Sequence, residues 1–190
     1  MKELSLNILD ITENSVKAGA KLTEINISED DEKLTLTITD NGCGMTAETV
    51  ESVTNPFYTT RTTRKVGMGL PLLKLEAELT GGSLTVESRH ISEYPEKHGT
   101  VVTAVFFKNH IDFTPLGDVV ASITTLIQGH PDTDFSFIHN NGSKTVSLNT
   151  IELRQVLEDV PLNSYEVIKW IEEYLKEQYK QNSLSKKGRF

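Results

Sequence analysis

A chain of 190 residues with 37 % apolar and 24 % charged residues can bury a core without metal or disulfide staples, and reads as one soluble domain with room for a small extension. Its net charge of −8 argues against a nucleic-acid partner, and the only basic run, Lys186, Lys187 and Arg189, reads as a solvated tail. One cysteine, Cys43, excludes an internal disulfide; no apolar stretch nears the ~20 residues that cross a bilayer and no signal-peptide core follows Met1, so the expectation is no membrane and a cytoplasmic protein.

Leu4, Ile8, Ile11 and Ser15 recur at helical spacing, which predicts a helix over 3–18 closed by Ala18-Gly19-Ala20. Leu22–Ser28 and Leu34–Thr39 read as strands around the polar turn Asp30-Asp31-Glu32, close enough to form a hairpin. Asp40 to Met45 is a glycine-bearing loop, 46–53 a short helix capped by Thr46, and Asn55 to Val66 reads as a mobile loop. A helix over 70–79 carries Pro71 in its first turn and ends at Gly81-Gly82. Ser83–Ser88 and Thr100–Phe107 are two more strands, joined by a polar loop with Pro95 and His98. Beyond residue 109 the pattern predicts a helix over 115–128, a hairpin of Phe135–His139 and Thr145–Leu148 around Asn141-Gly142, and helices near 150–158 and 164–180. The last two open on capping boxes, Asn149 with Glu152 and Asn163 with Glu166. Trp170, Ile171, Tyr174 and Leu175 give the final helix a broad apolar face that reads as core packing.

On the first helix, at about 100° per residue, Asn7, Asp10, Asn14 and Lys17 fall within about 80° of one another. A solvated helix face would explain that pattern by itself. Two features follow it in order. Asp40-Asn41-Gly42-Cys43-Gly44 sets a carboxylate at a strand end, able to accept from a ligand amine, beside glycines that permit close backbone approach. Gly67-Met68-Gly69-Leu70 opens a helix whose N-terminus favours phosphate. Either glycine pair alone is most often a turn; with the polar helix face, in this order and spacing, they are a strong signal.

Residues 3–107 resemble the GHKL superfamily, which includes DNA gyrase, MutL-type mismatch-repair proteins, sensor histidine kinases and anti-sigma-factor kinases. The resemblance rests on five ordered segments: Asp10 to Ala20 as the N box, Asp40 to Gly44 as the G1 box, Asn55 to Arg61 as the F box and lid, Gly67 to Leu70 as the G2 box, and His98-Gly99-Thr100 at the last strand. It implies an α+β fold, the two-layer α/β sandwich of Bergerat ATP-binding proteins, over 1–108; the change of pattern beyond it adds a small helix-hairpin-helix-helix extension over 109–190. It also implies ATP and Mg2+ as cofactors. Asn14 would ligate magnesium, and Asp40 would accept from the adenine amino group with Thr100 in support. Gly42, Gly44, Gly67, Met68, Gly69 and Leu70 would lie along the nucleotide. Thr60 and Arg61, with Arg64 or Lys65, would close over the phosphates, and Lys17 would approach them as in the kinase branch.

Asp10 is the candidate catalytic residue, standing where the ATPase branch has a water-activating glutamate but one methylene shorter. Nothing ahead of the first helix supplies the dimerising hairpin and acceptor histidine of the kinases, nor the strand and helix usual in the superfamily. A sheet edge is thereby left open, and the C-terminal segment is the candidate to cover it. The function implied is magnesium-dependent ATP binding with slow hydrolysis or phosphoryl transfer, in a regulatory ATPase or histidine-kinase-like phosphotransferase acting on a protein partner. The alternatives are a non-catalytic nucleotide sensor and a protein kinase acting on histidine or on serine and threonine. A homodimer stays open.

His110 to Pro115 echoes a phospho-acceptor motif but reads better as a connection in which Thr114 caps and Pro115 starts a helix. His90, His98, His130 and His139 lack metal-ligand spacing and read as surface or loop residues. Glu13 reads the same way, and Cys43 as a small packing residue.

Overall fold

A computed structural model describes residues 3–53 and 69–184. The elements in chain order are α1 (Leu4–Lys17), β1 (Leu22–Glu29), β2 (Lys33–Asp40), α2 (Ala47–Val53), α3 (Gly69–Leu79), β3 (Ser83–Arg89), β4 (Gly99–Phe107), α4 (Val119–Gly129), β5 (Asp134–Asn140), β6 (Thr145–Asn149), α5 (Thr150–Leu157) and α6 (Tyr165–Leu184). The strands form one mixed sheet in the order β3-β4-β2-β1-β5-β6. β5 runs parallel to β1 and the other neighbours are antiparallel. The architecture is the expected α+β sandwich. The segment Asn55 to Val66, read from sequence as a loop, lies outside the described residues.

Alternation along the strands decides which face is covered. Ile25 and Ile27 of β1, Leu34, Leu36 and Ile38 of β2, Val102, Ala104 and Phe106 of β4, and Phe135 and Phe137 of β5 are all buried under the helices. Thr35, Thr37 and Thr39 alternate with them and stay partly exposed on the other face. The edge of β1 that the sequence left open is taken by β5, with Leu22 opposite Asp134 and Ser28 opposite Asn140. A division at residue 108 therefore falls between β4 and α4, inside one continuous sheet and one continuous apolar core.

α1 is the central helix, flanked by α3 and α4. Being covered on two sides changes its polar face. Asn7, expected beside Asp10 and Asn14, is fully buried, and its amide donates to Glu76 of α3. α4 starts at Val119, not at 115, with Asp118 Oδ1 accepting from Ala121 N at 2.9 Å. The backbone at 115–116 has other work. The carbonyls of Pro115 and Leu116 accept from Leu4 N and Ser5 N, at 2.9 and 2.8 Å, and so satisfy donors at the start of α1 that no helical turn could pair. Asn149 caps α5 as expected, accepting from Ile151 N at 2.9 Å. The expected box at Asn163 is displaced by one residue, since α6 begins at Tyr165 and the Ser164 carbonyl accepts from Ile168 N at 3.0 Å. The apolar face of α6 splits: Ile171 and Leu175 are in the core, whereas Trp170 and Tyr174 stack on each other in the open. No helix among the described residues is long and apolar enough to cross a membrane.

His139 corrects the reading that placed it on the surface. It points inward from β5, 5 % exposed, with Nε2 2.8 Å from Glu29 Oε1 and Nδ1 2.8 Å from the Tyr179 hydroxyl. Lys108 Nζ meets the other Glu29 oxygen at 2.8 Å, so one carboxylate joins β1, β5 and the end of β4. The His139 hydrogen bond and then Lys108 hold Glu29 down to a pKa of about 2, against an ordinary 4.5. A depressed carboxylate stabilises the fold above its unfolded pKa and loses that contribution as pH falls through its folded one. The network is therefore expected to lose about 3 kcal/mol between pH 4.5 and pH 2. Urea unfolding at stepped pH checks this: Glu29→Gln should be less stable than the native chain at pH 7 and should converge on it near pH 2.

Candidate functional site

A cavity of about 290 Å³ opens between α1 and the ends of β2 and β4. Most of its wall is apolar, from Ile11, Ala18, Met45, Val53, Leu70 and Val102. Asn14, Ser15, Asp40 and Thr100 supply its polar groups, and Cys43 and Gly44 form part of the rim.

Asp40 is the last residue of β2 and lies opposite Thr100 of β4. Its carboxylate is fixed from two sides: Oδ2 accepts from Ser15 Oγ and Oδ1 from Gly42 N, both at 2.8 Å. Each carboxylate oxygen retains a lone pair for a further donor. Thr100 is held through Ser88, whose hydroxyl lies 2.8 Å from Thr100 Oγ1, donates to Gly99 O at 3.0 Å and accepts from Met45 N at 2.7 Å. Neither Ser15 nor Ser88 was read from the sequence as a site residue. Ser15 sits in the apolar stripe of α1, and a serine in such a stripe, needing a buried partner, is the signal that was available.

The loop Asp40 to Met45 is shaped by its neighbours. A Cβ on Gly42 would lie 2.9 Å from Ala18 Cβ, and one on Gly44, at φ +67°, only 2.0 Å from the Arg89 carbonyl oxygen. Gly99, at φ +135°, comes equally close to the Asp40 carbonyl. These glycines let the loop close against α1 and the β3–β4 connection. His98, read as a surface residue, adds a clamp, donating from Nδ1 to Gly42 O at 2.5 Å. Cys43, read as packing, is exposed at the cavity rim, with its N–H donating to Ala18 O at 2.9 Å. Gly44→Ala is expected to cost about 2–4 kcal/mol, because a left-handed residue would also clash with backbone. Thermal unfolding measures it; an unchanged midpoint would contradict the packing.

α3 begins at Gly69, beside α1. A Cβ there would lie 3.5 Å from both Asp10 Cβ and Ile11 Cδ1 and 3.9 Å from Asp10 Oδ2. The N-terminal end of α3 thus faces the Asp10 carboxylate, one turn from Asn14. Asp10 and Asn14 are both exposed, and among the described residues neither side chain has a hydrogen-bond partner. Lys17 does not join the cavity lining. Its amine is 4.0 Å from Glu13 Oε2, while Glu13 Oε1 meets His130 Nε2 at 2.7 Å. Glu13 and His130, both read as surface residues, are half-buried and tie α1 to the end of α4. Thr60, Arg61, Arg64, Lys65, Gly67 and Met68 lie outside the described residues. His110 sits exposed in the connection between β4 and α4, its Nδ1 accepting from Asp112 N at 3.2 Å.

The chain is similar to known proteins in sequence and in fold. A family model described as histidine kinase-, DNA gyrase B-, and HSP90-like ATPase matches residues 2–111. Sensor histidine kinase YvrG of Bacillus subtilis is 35 % identical over 101 residues, which are 50 % of this chain and 16 % of that protein. Sporulation kinase D of the same organism is 31 % identical over 103 residues, 54 % of this chain and 19 % of that protein. The chain thus spans under a fifth of the length of these curated relatives. Among solved structures, the ADP complex of the Aquifex aeolicus MutL ATPase domain superposes with a TM-score of 0.55 at 17 % identity, covering 83 % of this chain and 70 % of that one. The N-terminal domain of a DNA repair protein gives 0.56 at 19 % identity, with 78 % and 53 % covered. At such identities these two likenesses speak for the fold.

Proposed function

The chain belongs to the family of histidine kinase-, DNA gyrase B-, and HSP90-like ATPases, and from that premise we propose that it binds ATP with Mg2+ in the cavity beside Asp40 and turns it over slowly as a regulatory module acting on a protein partner. The observation that carries the reading is the pairing of a single fixed carboxylate with a mostly apolar slot. A flat heteroaromatic ring buries its faces against Ile11, Met45, Leu70 and Val102, and its one amino group donates to Asp40. Adenine meets that description.

The phosphates then run toward the N-terminal end of α3, whose free N–H groups favour anions. Magnesium fits the donors present. It takes oxygen ligands, keeps most of its shell from phosphates and water, and needs only one or two protein groups. Among the described residues no cluster of three acidic, histidine or cysteine side chains offers a dedicated metal cage, and the unpaired amide oxygen of Asn14 is suited to the lesser role. Magnesium, when bound, would neutralise phosphate charge. Asp10 would orient and deprotonate the attacking water, or the hydroxyl or imidazole of a protein acceptor. Calorimetric titration with ATP and ADP in magnesium, followed by phosphate release on the same sample, tests this. Saturable binding with slow release is expected; no binding of either nucleotide at millimolar concentration would overturn it.

A further inference from the structure

The free edge of the sheet carries a second candidate site, which shares no lining residue with the nucleotide cavity. Among the described residues β6 pairs with β5 on one side only, with Phe137 opposite Leu148 and Ile138 opposite Ser147. Along an antiparallel strand the backbone groups alternate sides. Ser147 turns its N–H and carbonyl outward, and with it, by alternation, Thr145 and Asn149. What meets Ser147 there is a side chain. The Gln178 carboxamide accepts from Ser147 N at 3.0 Å and donates to Ser147 O at 3.1 Å. A primary amide making both bonds to one residue occupies the place of a neighbouring strand's peptide group. At Ser147 the edge is therefore in pairing geometry, and the Gln178 side chain of α6 fills that position.

Next to that edge lies a groove of about 360 Å³ lined by Ser136–Ile138 of β5 and by residues of β6, α5 and α6. Its outer wall is unusually apolar for an exposed surface: Val156 is 80 % exposed, Trp170 48 % and Tyr174 39 %, the two rings stacked with centroids 4.9 Å apart. The one charged residue that lines the groove is Glu152, which has no ion pair among the described residues. Glu166 and Glu177, likewise without an ion pair there, lie at neighbouring turns of α6 from the aromatic pair. The nearby cations are engaged: Lys169 with Glu173, Lys176 with Glu172 and Arg154 with Asp134.

We propose that this groove binds an extended segment of a protein partner, of alternating apolar and basic residues, which adds as a strand to β6 in place of Gln178. Backbone pairing with Ser147 and Asn149 supplies the register, Val156 and the Trp170–Tyr174 pair take the apolar side chains, and Glu152 takes a cation. A second copy of this chain, acidic on the same face, would set Glu152 and Glu166 against themselves across a twofold contact.

Trp170 is the only tryptophan in the chain, so its emission reports on this groove alone. The probe is a blocked pentapeptide of alternating valine and arginine, titrated against the full chain. A saturable change in emission is expected, at least tenfold weaker for the same peptide with glutamate in place of arginine. Glu152→Lys should reverse that preference. N-methylation of the peptide backbone should abolish binding, and Gln178→Ala, which frees the edge, should tighten it about fivefold. No emission change, equal binding of the two charge types, or indifference to N-methylation each overturns the proposal. Sedimentation that finds a dimer lost in Val156→Glu would assign the groove to a second copy and overturn it as well. Circular dichroism of the variants separates loss of binding from loss of fold.

Discussion

Asp40→Asn is expected to lower ATP affinity about 100-fold while leaving the fold in place. The carboxylate has three tasks in the proposed complex, to accept from Ser15 Oγ, from Gly42 N and from the adenine amino group. Asparagine keeps one acceptor oxygen and turns the other position into a donor. The oxygen can still serve the Gly42 N–H, and the Ser15 hydroxyl can rotate to accept from the new amine, so the loop survives. The ligand then meets a donor where it needs an acceptor, and a charged hydrogen bond worth about 1.5–3 kcal/mol is lost with a mismatch left behind. The same change should favour a ring with a carbonyl at that position, so GTP should gain on ATP in the variant. Parallel calorimetric titrations of both nucleotides, with thermal unfolding as the control for folding, decide it. Unchanged ATP affinity would remove Asp40 from the site.

How much of this was legible in advance follows from the range of the forces involved. Period-two alternation in Leu34–Thr39 and the Asn141-Gly142 turn are local signals, and β2 and the β5–β6 hairpin appear where they were expected. Misplaced positions are those settled by distant partners. Pro115 looked like a helix start until α1 claimed its carbonyl, and Asn7 looked solvent-facing until α3 covered it. His139 alternates with Phe135 and Phe137 onto the inward face, but nothing local marks the partners that satisfy it there, since Glu29 and Tyr179 lie 110 and 40 residues away. In the candidate site the order of boxes picked out Asp40, Asn14 and Thr100, which line one cavity. Gly42 and Gly44, expected along the nucleotide, are also crowded by Ala18 and Arg89, a packing demand distinct from a ligand's. That distinction needs coordinates, since glycine near a ligand and glycine near a neighbouring strand look alike in sequence.

The contact between Gly69 and Asp10 carries the second large expectation. Asp10→Asn should cut phosphate release by 10²–10⁴-fold, the usual worth of a positioned general base, with ATP binding changed by less than about threefold. The argument is geometric. Asp10 lies on α1 one turn before Asn14, about 6 Å along the axis, and its Oδ2 reaches toward the start of α3. Phosphates at that helix end would sit between the two side chains, which leaves Asp10 to address the water or acceptor on the far side of the γ-phosphate. Among the described residues Asp10 bonds to nothing that would hold it elsewhere. Its short side chain makes a further variant informative. Asp10→Glu extends the carboxylate by one methylene; if reach limits the native rate, release should rise in that variant and fall in Asp10→Asn. Should both variants release phosphate at the native rate, Asp10 is not the base and the chain acts by binding nucleotide alone. Should Asp10→Asn lose binding as well, the carboxylate serves the metal and phosphates, and the loss of turnover is secondary.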